Sequence, residues 1–418
     1  MDFLLQIAPL LLCLAMFLAR QHMLFVGLSG GLLAMLLGGL GLDRATPVFL
    51  EAIRSTVGVE VPIMYAALGG LLSEAGCFRA MANICRHYRS KGHLVPITAA
   101  LVFLQGLITY MIGLGVSTTY LIAPVLASLT GASRPVIASL AIISAIGFST
   151  SPASPETFIT AQIAQRPVVE HATAMLPYTL LFYALAAALA AFGVRRQTSR
   201  QSRLAGTASQ APLHFPSALR HSAPAVLFLL LLIAGNPANT LLGTTFFTPL
   251  LTLILVPLLT VFCTPFSIRQ TCVTLIESSR FVLMVLFSVG IFLGFIDIIG
   301  KMGAFSALAE LASIVPRSLC LPAAMLIGFL VAIPAGAFCT GILALTLPTM
   351  ASLNIDSVAM GFIAMAIALG SHLCPVQVNV GALRDGFSLT VKETVRGNIP
   401  YILSALAIAM AAGACVVG

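Results

Sequence analysis

The stretch "GFSTSPASPET" (residues 147–157) places three serines, two threonines, two prolines and a glutamate inside an otherwise apolar sequence. Proline cannot donate a backbone hydrogen bond, and its ring clashes with the preceding helical turn. Serine and threonine hydroxyls compete with the backbone for the same hydrogen bonds. The stretch therefore predicts that a helix breaks at this point and resumes after it.

The surroundings of this stretch are those of a membrane protein. The chain has 418 residues, of which 59% are apolar and only 8% are charged. Such a composition leaves too little polar surface to cover a soluble fold. Apolar runs long enough to cross a bilayer recur from end to end. The net charge of +8 comes from basic residues between these runs, which favours a lipid bilayer as the partner and excludes nucleic acid.

These runs predict an all-α polytopic membrane protein of about ten transmembrane helices with two re-entrant hairpins. The first half, residues 1–194, holds three spans, a hairpin at 95–132, a broken helix at 135–164 and a span at 172–194. A basic linker follows at 195–221. The second half, residues 222–418, holds three spans, a hairpin at 320–351, a broken helix at 356–383 and a span at 398–417.

The two halves repeat the same landmarks. Ser151-Pro152 recurs as Cys374-Pro375, and Pro177-Tyr178 recurs as Pro400-Tyr401, each 223 residues further on. An odd number of crossings in each half would invert one repeat relative to the other, as in many secondary transporters. The basic linker then lies in the cytoplasm of a multi-pass inner-membrane protein. Both termini are expected on the outer side.

Irregular backbone at membrane depth is tolerated where it is buried in protein or lines a cavity. The two hairpin tips and the two helix breaks therefore predict the functional site. The residues expected to bind substrate are Ser117, Thr118, Thr119, Ser151, Ser154, Cys339, Thr340, Gln377 and Asn379. The candidates for coupling to an ion are Ser149, Glu156 and His372, since an ionisable side chain inside a membrane is a functional candidate by default.

Enzymatic motifs are missing from the sequence. It contains no HExxH zinc motif and no phosphate-binding or dinucleotide-binding glycine pattern. We therefore expect no catalytic residue, no resident metal and no cofactor beyond a coupling Na⁺ or H⁺. An anion channel and an intramembrane enzyme stay open as alternatives from other functional classes.

The stretch "GVSTTYLIAP" (115–124) resembles the Ser/Thr-rich hairpin tip of divalent-anion:sodium symporters, although it has Ser-Thr-Thr where they have Ser-Asn-Thr. The breaks "STSPASPETFITAQ" (149–162) and "CPVQVNVGALRDGFSLTVKETVRGNIP" (374–400) resemble those of anaerobic four-carbon dicarboxylate carriers of the DcuC type and of gluconate permeases. All of these belong to the ion-transporter superfamily. The large membrane subunit of tripartite (TRAP-type) periplasmic carboxylate transporters is similar in length and is the near alternative.

The resemblance implies a secondary active transporter that moves a small organic anion by alternating access. The substrate class is a di- or monocarboxylate, such as a four-carbon dicarboxylate, citrate or a sugar acid. Transport would be coupled to an ion gradient or would proceed by exchange. The same resemblance implies an elevator-like movement of the hairpin-bearing part and makes a homodimer the candidate assembly.

Overall fold

A computed structural model of the chain describes residues 3–19, 21–57, 60–87, 93–113, 115–198, 215–312, 316–335 and 339–417. Regular secondary structure within these ranges is helical throughout, which confirms the predicted all-α class for them. The first half contains α1 (Phe3–Leu18), α2 (Met23–Gly38), α3 (Leu42–Val57), α4 (Glu60–Glu74), α5 (Cys77–His87), α6 (Leu94–Ile112), α7 (Gly115–Thr130), α8 (Arg134–Thr150), α9 (Pro155–Ile163) and α10 (Val168–Thr198).

The second half continues with nine further helices. They are α11 (Phe215–Leu242), α12 (Pro249–Cys263), α13 (Ile268–Lys301), α14 (Ala304–Ala312), α15 (Arg317–Ala335), α16 (Cys339–Ser352), α17 (Ser357–Ser371), α18 (Val378–Phe387) and α19 (Val391–Val417).

Only some of these helices are both long enough and apolar enough to cross a membrane. Among the described residues, three helical segments are long and apolar enough to cross a bilayer alone: Leu94–Ile112, Val168–Arg196 and Val391–Val416. The α8–α9 pair, bent by 47°, would make a fourth if it is counted as one span. Nine other apolar helical segments have only 10–17 residues. The total of about ten crossings therefore stays a prediction.

Two boundaries differ from those expected from the sequence. The third span of the first half is predicted near residues 57–77, and the structure has there the shorter α4, preceded by α3, which carries Asp43 and Arg54 in its end turns. The linker expected at 195–221 is helical at both ends, since α10 continues to Thr198 and α11 begins at Phe215. Arg195 and Arg196 extend α10 because basic side chains in a last turn face the negative end of the helix dipole. Residues 199–214 lie outside the described part.

Corresponding helices of the two halves begin at a constant offset. The helices α6 and α15 begin at residues 94 and 317, α8 and α17 at 134 and 357, α9 and α18 at 155 and 378, and α10 and α19 at 168 and 391. Each pair is separated by the 223 residues that separate the proline landmarks. This agreement supports an internal repeat. The division of the chain into two repeats, residues 1–194 and 222–418, stays a proposal.

Contacts along α10 fix the relative direction of α8 and α17. Near its end α10 approaches the start of α8, where Gly193 lies against Pro135, and nearer its middle Thr179 donates to Thr150 at 2.9 Å. The helices α8 and α10 are therefore antiparallel. Near its start α10 contacts α17 through His171 and Ser357, 2.8 Å apart, and Tyr178 then packs on Phe362 with ring centroids 4.8 Å apart. Because α10 runs parallel to α17, the helices α8 and α17 run in opposite directions.

Each broken helix packs closely against the hairpin of its own half. In the second half, Gly370 of α17 lies against the backbone of α15 so tightly that a Cβ atom would come within 2.3 Å of the Phe329 carbonyl oxygen. Because the obstructing atom belongs to the backbone, a side chain cannot be accommodated by rotating a neighbour. Gly370 therefore holds α15 and α17 together by having no side chain.

We expect Gly370→Ala to destabilise the protein by about 1–3 kcal/mol, the usual cost of overpacking. The matched control is Gly381→Ala, because a Cβ atom at Gly381 of α18 meets nothing within 4 Å. The control should be neutral or slightly stabilising, since alanine favours helix more than glycine does. Thermal unfolding of both purified variants in detergent checks this. Equal melting temperatures for the two variants would contradict the close approach.

Candidate functional site

The first helix break lies between α8 and α9 at residues 151–154, inside the polar stretch 147–157. The hydroxyls of this stretch bond to nearby groups. Ser149 Oγ donates to the Ile146 carbonyl at 3.1 Å. Ser154 Oγ accepts from the Thr157 amide at 3.1 Å and so caps the first turn of α9. These contacts show that Ser149 and Ser154 stabilise the break, whatever further role they have.

Ser151 connects this break to the first hairpin. Its hydroxyl donates to the Tyr110 carbonyl at 2.6 Å, near the end of α6, and accepts from the Ala153 amide at 3.0 Å. The second half repeats the connection at the equivalent positions, because Cys374 Sγ donates to the Pro334 carbonyl at 3.7 Å, near the end of α15. A side chain at each break thus satisfies a carbonyl near the end of the hairpin's first arm.

The first hairpin tip packs directly on the first break. Gly113 ends α6 with a φ of +76°, which non-glycine residues seldom adopt. A Cβ atom there would also meet the carbonyl group of Ala153 at 2.5 Å. Glycine is required on both counts. Of the predicted tip residues, Thr118 and Thr119 are buried, and the side chain of Ser117 lies outside the described part.

A group of buried polar side chains that was not predicted from the sequence lies behind this tip. This seam consists of Gln105, Thr109, Ser144 and Tyr183. Gln105 Nε2 donates to Thr119 Oγ1 at 3.0 Å and to the Leu140 carbonyl at 3.3 Å. In the described residues four further polar atoms of the seam have no hydrogen-bond partner: Gln105 Oε1, Thr109 Oγ1, Ser144 Oγ and Tyr183 OH. The available signal was the spacing of Gln105 and Thr109, four residues apart and hence on one face of an otherwise apolar helix.

The second break lies at residues 372–377, between α17 and α18. His372 is fully buried, with Nδ1 2.9 Å from the Ala368 carbonyl oxygen and Nε2 2.8 Å from Asn379 Nδ2. Asn379 lies in the first turn of α18 and is 4% exposed. Its Oδ1 atom has no hydrogen-bond partner among the described residues. The imidazole therefore bridges the two parts of the broken helix.

The two breaks meet near the ends of α8 and α17. The ring of Phe148 stacks on His372 with centroids 5.8 Å apart and planes 23° apart. Gln377 precedes α18 and makes no side-chain capping bond to it within the described residues, and its amide lies 3.5 Å from Ser371 Oγ. The structure therefore brings His372, Gln377 and Asn379 together at one end of α17, facing the first repeat.

Glu156 joins α9 to the second hairpin. Thr340 Oγ1, in the first turn of α16, donates to Glu156 Oε1 at 3.1 Å across 184 residues of sequence. Glu156 is partly buried and Cys339 beside Thr340 is buried. The described residues contain no ion pair between Glu156 and a basic side chain. A carboxylate at membrane depth without such a partner is a candidate for binding a cation or a proton.

Basic residues collect at one end of the molecule. Gly397 of α19 lies against the Arg134 side chain at the start of α8, and the end of α10 approaches the same point. Arg195, Arg196 and Arg396 therefore share this end with Arg134. Such clustering is typical of a cytoplasmic face, and the placement of the linker on that side stays a prediction.

A small cavity borders the first break. It has a volume of about 50 Å³ and lies against Pro152, between Tyr110 and Thr173 on one side and Thr252 of α12 on the other. A cavity of this size holds water molecules but not an organic anion.

Comparisons with known proteins identify the fold. The chain resembles the solved structure of the YdaH transporter of Alcanivorax borkumensis, described as having an unusual topology, with a TM-score of 0.59. The match covers 90% of this chain and 89% of that one at 18% identity. At this identity the likeness shows the fold alone, which is that of a membrane transporter. No protein-family model matches the chain, and no curated protein matches it either.

The hydrogen bond between Glu156 and Thr340 predicts energetic coupling between the two halves. A double-mutant cycle with Glu156→Gln and Thr340→Val should give a coupling of about 0.5–3 kcal/mol in thermal unfolding, the range for residues in contact. Cycling Thr340→Val with Glu170→Gln, whose carboxylate pairs with Arg166, is the control and should be additive. Additive costs in the first cycle would show that the contact does not form in the membrane protein.

Proposed function

We propose that the chain is a secondary active transporter for a small organic anion, with a di- or monocarboxylate as the substrate class. The fold of a membrane transporter supports transport, and the two helix breaks meeting inside the fold support a site between the repeats. The finer resemblance to dicarboxylate carriers and gluconate permeases rests on sequence motifs alone.

The evidence for an anionic substrate is a difference between α9 and α18, the two helices that follow the breaks. The first turn of α9 contains Glu156 and is capped by Ser154. The first turn of α18 contains no acidic residue, and within the described residues Gln377 does not cap it. Backbone N–H groups at a helix N-terminus attract anions, and a carboxylate already present there opposes them.

This difference assigns separate roles to the two breaks. We place the anion at the start of α18, with Gln377 and Asn379 as its side-chain contacts. The candidate positions for the coupling cation or proton are Glu156, which faces Thr340 and the start of α16, and His372 at the second break. The predicted tip residues Thr118 and Thr119, together with Ser117, stay proposed contacts from the first hairpin.

Uptake into proteoliposomes tests the function. We expect the purified protein to accumulate at least one of radiolabelled succinate, citrate or gluconate when an inward proton or Na⁺ gradient is imposed. Protein-free liposomes and Asn379→Leu, which removes the amide at the start of α18, should show little uptake. Uptake that depends on no gradient would favour a channel. The absence of uptake of all three anions would contradict a self-sufficient carboxylate transporter and favour a subunit of a tripartite system.

Cysteine accessibility tests the proposed hairpins and inverted orientation. Cysteines placed at His93 and Ala132, which flank the first hairpin and are exposed, should react with a membrane-impermeant maleimide from the same side of the membrane. Cysteines at Pro316 and Ser352, which flank the second hairpin and are also exposed, should react from the opposite side.

The labelling background comes from the native cysteines, of which Cys272 and Cys415 are exposed. Both should be replaced by serine before the single cysteines are introduced. Labelling of His93→Cys and Ala132→Cys from opposite sides would show that α6 and α7 together cross the membrane. Labelling of all four positions from one side would contradict the inverted orientation.

A further inference from the structure

The start of α18 presents a contradiction that the proposed function must resolve. The atom of Asn379 left without a partner is Oδ1, a buried hydrogen-bond acceptor. An acceptor repels the oxygens of a carboxylate. The described structure therefore offers an anion the wrong end of the Asn379 amide, although the adjacent helix N-terminus suits an anion.

The orientation of this amide follows from the hydrogen bonds of His372. The Ala368 carbonyl can only accept, so the proton of the imidazole lies on Nδ1, 2.9 Å away. In a neutral imidazole the other nitrogen then carries a lone pair. Nε2 accordingly accepts from Asn379 Nδ2 at 2.8 Å. Because Nε2 is an acceptor, the Asn379 amide points its amino group at the ring and its Oδ1 away from it.

A second proton on His372 would reverse this orientation. It adds to the lone pair of Nε2, while Nδ1–H continues to donate to Ala368. Nε2–H and the Asn379 amino group are then both donors and cannot bond to each other. A half-turn of the amide lets Oδ1 accept from Nε2–H. The amino group then occupies the position where Oδ1 was, beside the N-terminus of α18.

We infer that Asn379 contacts the transported anion and that His372 is the proton-carrying group that turns the Asn379 amide toward it. The inference rests on the proposed function and names its coupling ion as the proton. Proton and anion favour each other's binding, because the amide donates to the anion only when His372 is doubly protonated. Such linkage is reciprocal, and it makes the transporter a proton–anion symporter.

Full burial disfavours a positive charge on His372, and its contact with Phe148 offsets part of that cost. The face of Phe148 lies against the imidazole, and an aromatic face attracts a cation. Glu156 on α9 and Cys339 on α16 are titratable groups on helices packed against α17, and His171 lies at the other end of α17 beside Ser357. On α18, Arg384 and Asp385 pair with each other. In the described residues none of these groups pairs with His372.

The test uses the anion that wild-type protein accumulates best among succinate, citrate and gluconate. Uptake into proteoliposomes is measured with an inside-alkaline pH gradient and, separately, as counterflow against the same unlabelled anion without a gradient. One proton moving with one monoanion gives roughly tenfold accumulation per unit of pH gradient. A pH-sensitive dye inside the vesicles records proton entry when the anion is added.

His372→Gln should lose the gradient-driven accumulation and the proton entry while keeping counterflow, because the glutamine amino group can donate to Asn379 Oδ1 and so hold the amide turned toward the anion without carrying a proton. His171→Gln is the matched control, since His171 is also buried but lies away from both breaks, and it should keep all three signals. Asn379→Asp, which is nearly the same size as asparagine, should lose accumulation and counterflow at every pH. This variant decides the matter if His372→Gln does not fold.

Several outcomes would overturn the inference while leaving the proposed function intact. They are proton-driven accumulation by His372→Gln at the wild-type level, anion transport by Asn379→Asp at the wild-type level, and accumulation by wild-type protein that follows a Na⁺ gradient but not a pH gradient. Failure of wild-type protein to transport any of the three anions would instead overturn the proposed function, and this inference with it.

Discussion

The rest of the structure depends on satisfying interrupted backbone inside an apolar protein. A helix that ends at membrane depth, at a break or at a hairpin tip, leaves carbonyl and amide groups that lipid cannot satisfy. Here the bonds from Ser151 to the Tyr110 carbonyl and from Cys374 to the Pro334 carbonyl meet this need at equivalent positions. Each bond also ties a break to the hairpin of its own half. In each half, the hairpin and the break therefore pack together because one supplies the hydrogen-bond donor that the other's backbone carbonyl needs.

The same requirement explains why the two halves can share an architecture and differ in chemistry. In the first half, the serine hydroxyls at the break are all engaged by backbone, because Ser149 and Ser154 bond within the break and Ser151 bonds to the hairpin. In the second half the break has fewer hydroxyls, and the imidazole of His372 connects its two sides instead. The first break, which is richer in hydroxyl groups, thus has these hydroxyls bonded to backbone. The second break, which has fewer hydroxyl groups, leaves Asn379 Oδ1 without a partner among the described residues.

Sequence predicted the features that depend on local chemistry and missed those that depend on contacts across the fold. Pro152 and Pro155 place the first break because proline interrupts a helix wherever it stands. The sequence does not predict the amphipathic α3 because charged residues, among them Arg44 and Glu51, interrupt its apolar positions. The contact of Glu156 with Thr340 spans 184 residues, and the bridge from His372 to Asn379 depends on how the chain turns between them. Neither has a periodic signature in sequence.

The contact between Glu156 and Thr340 also bears on how transport could be organised around the second break. It links α9 of the first half to α16 of the second, while Phe148 of the first half stacks on His372 of the second. Each titratable group at a break therefore contacts the opposite half, and His372 makes its hydrogen bonds within its own half. A change in the charge of either group alters a contact between the halves, which is how the proposed transport would couple proton binding to relative movement of the halves. This coupling is what alternating access requires of a site built from two inverted units.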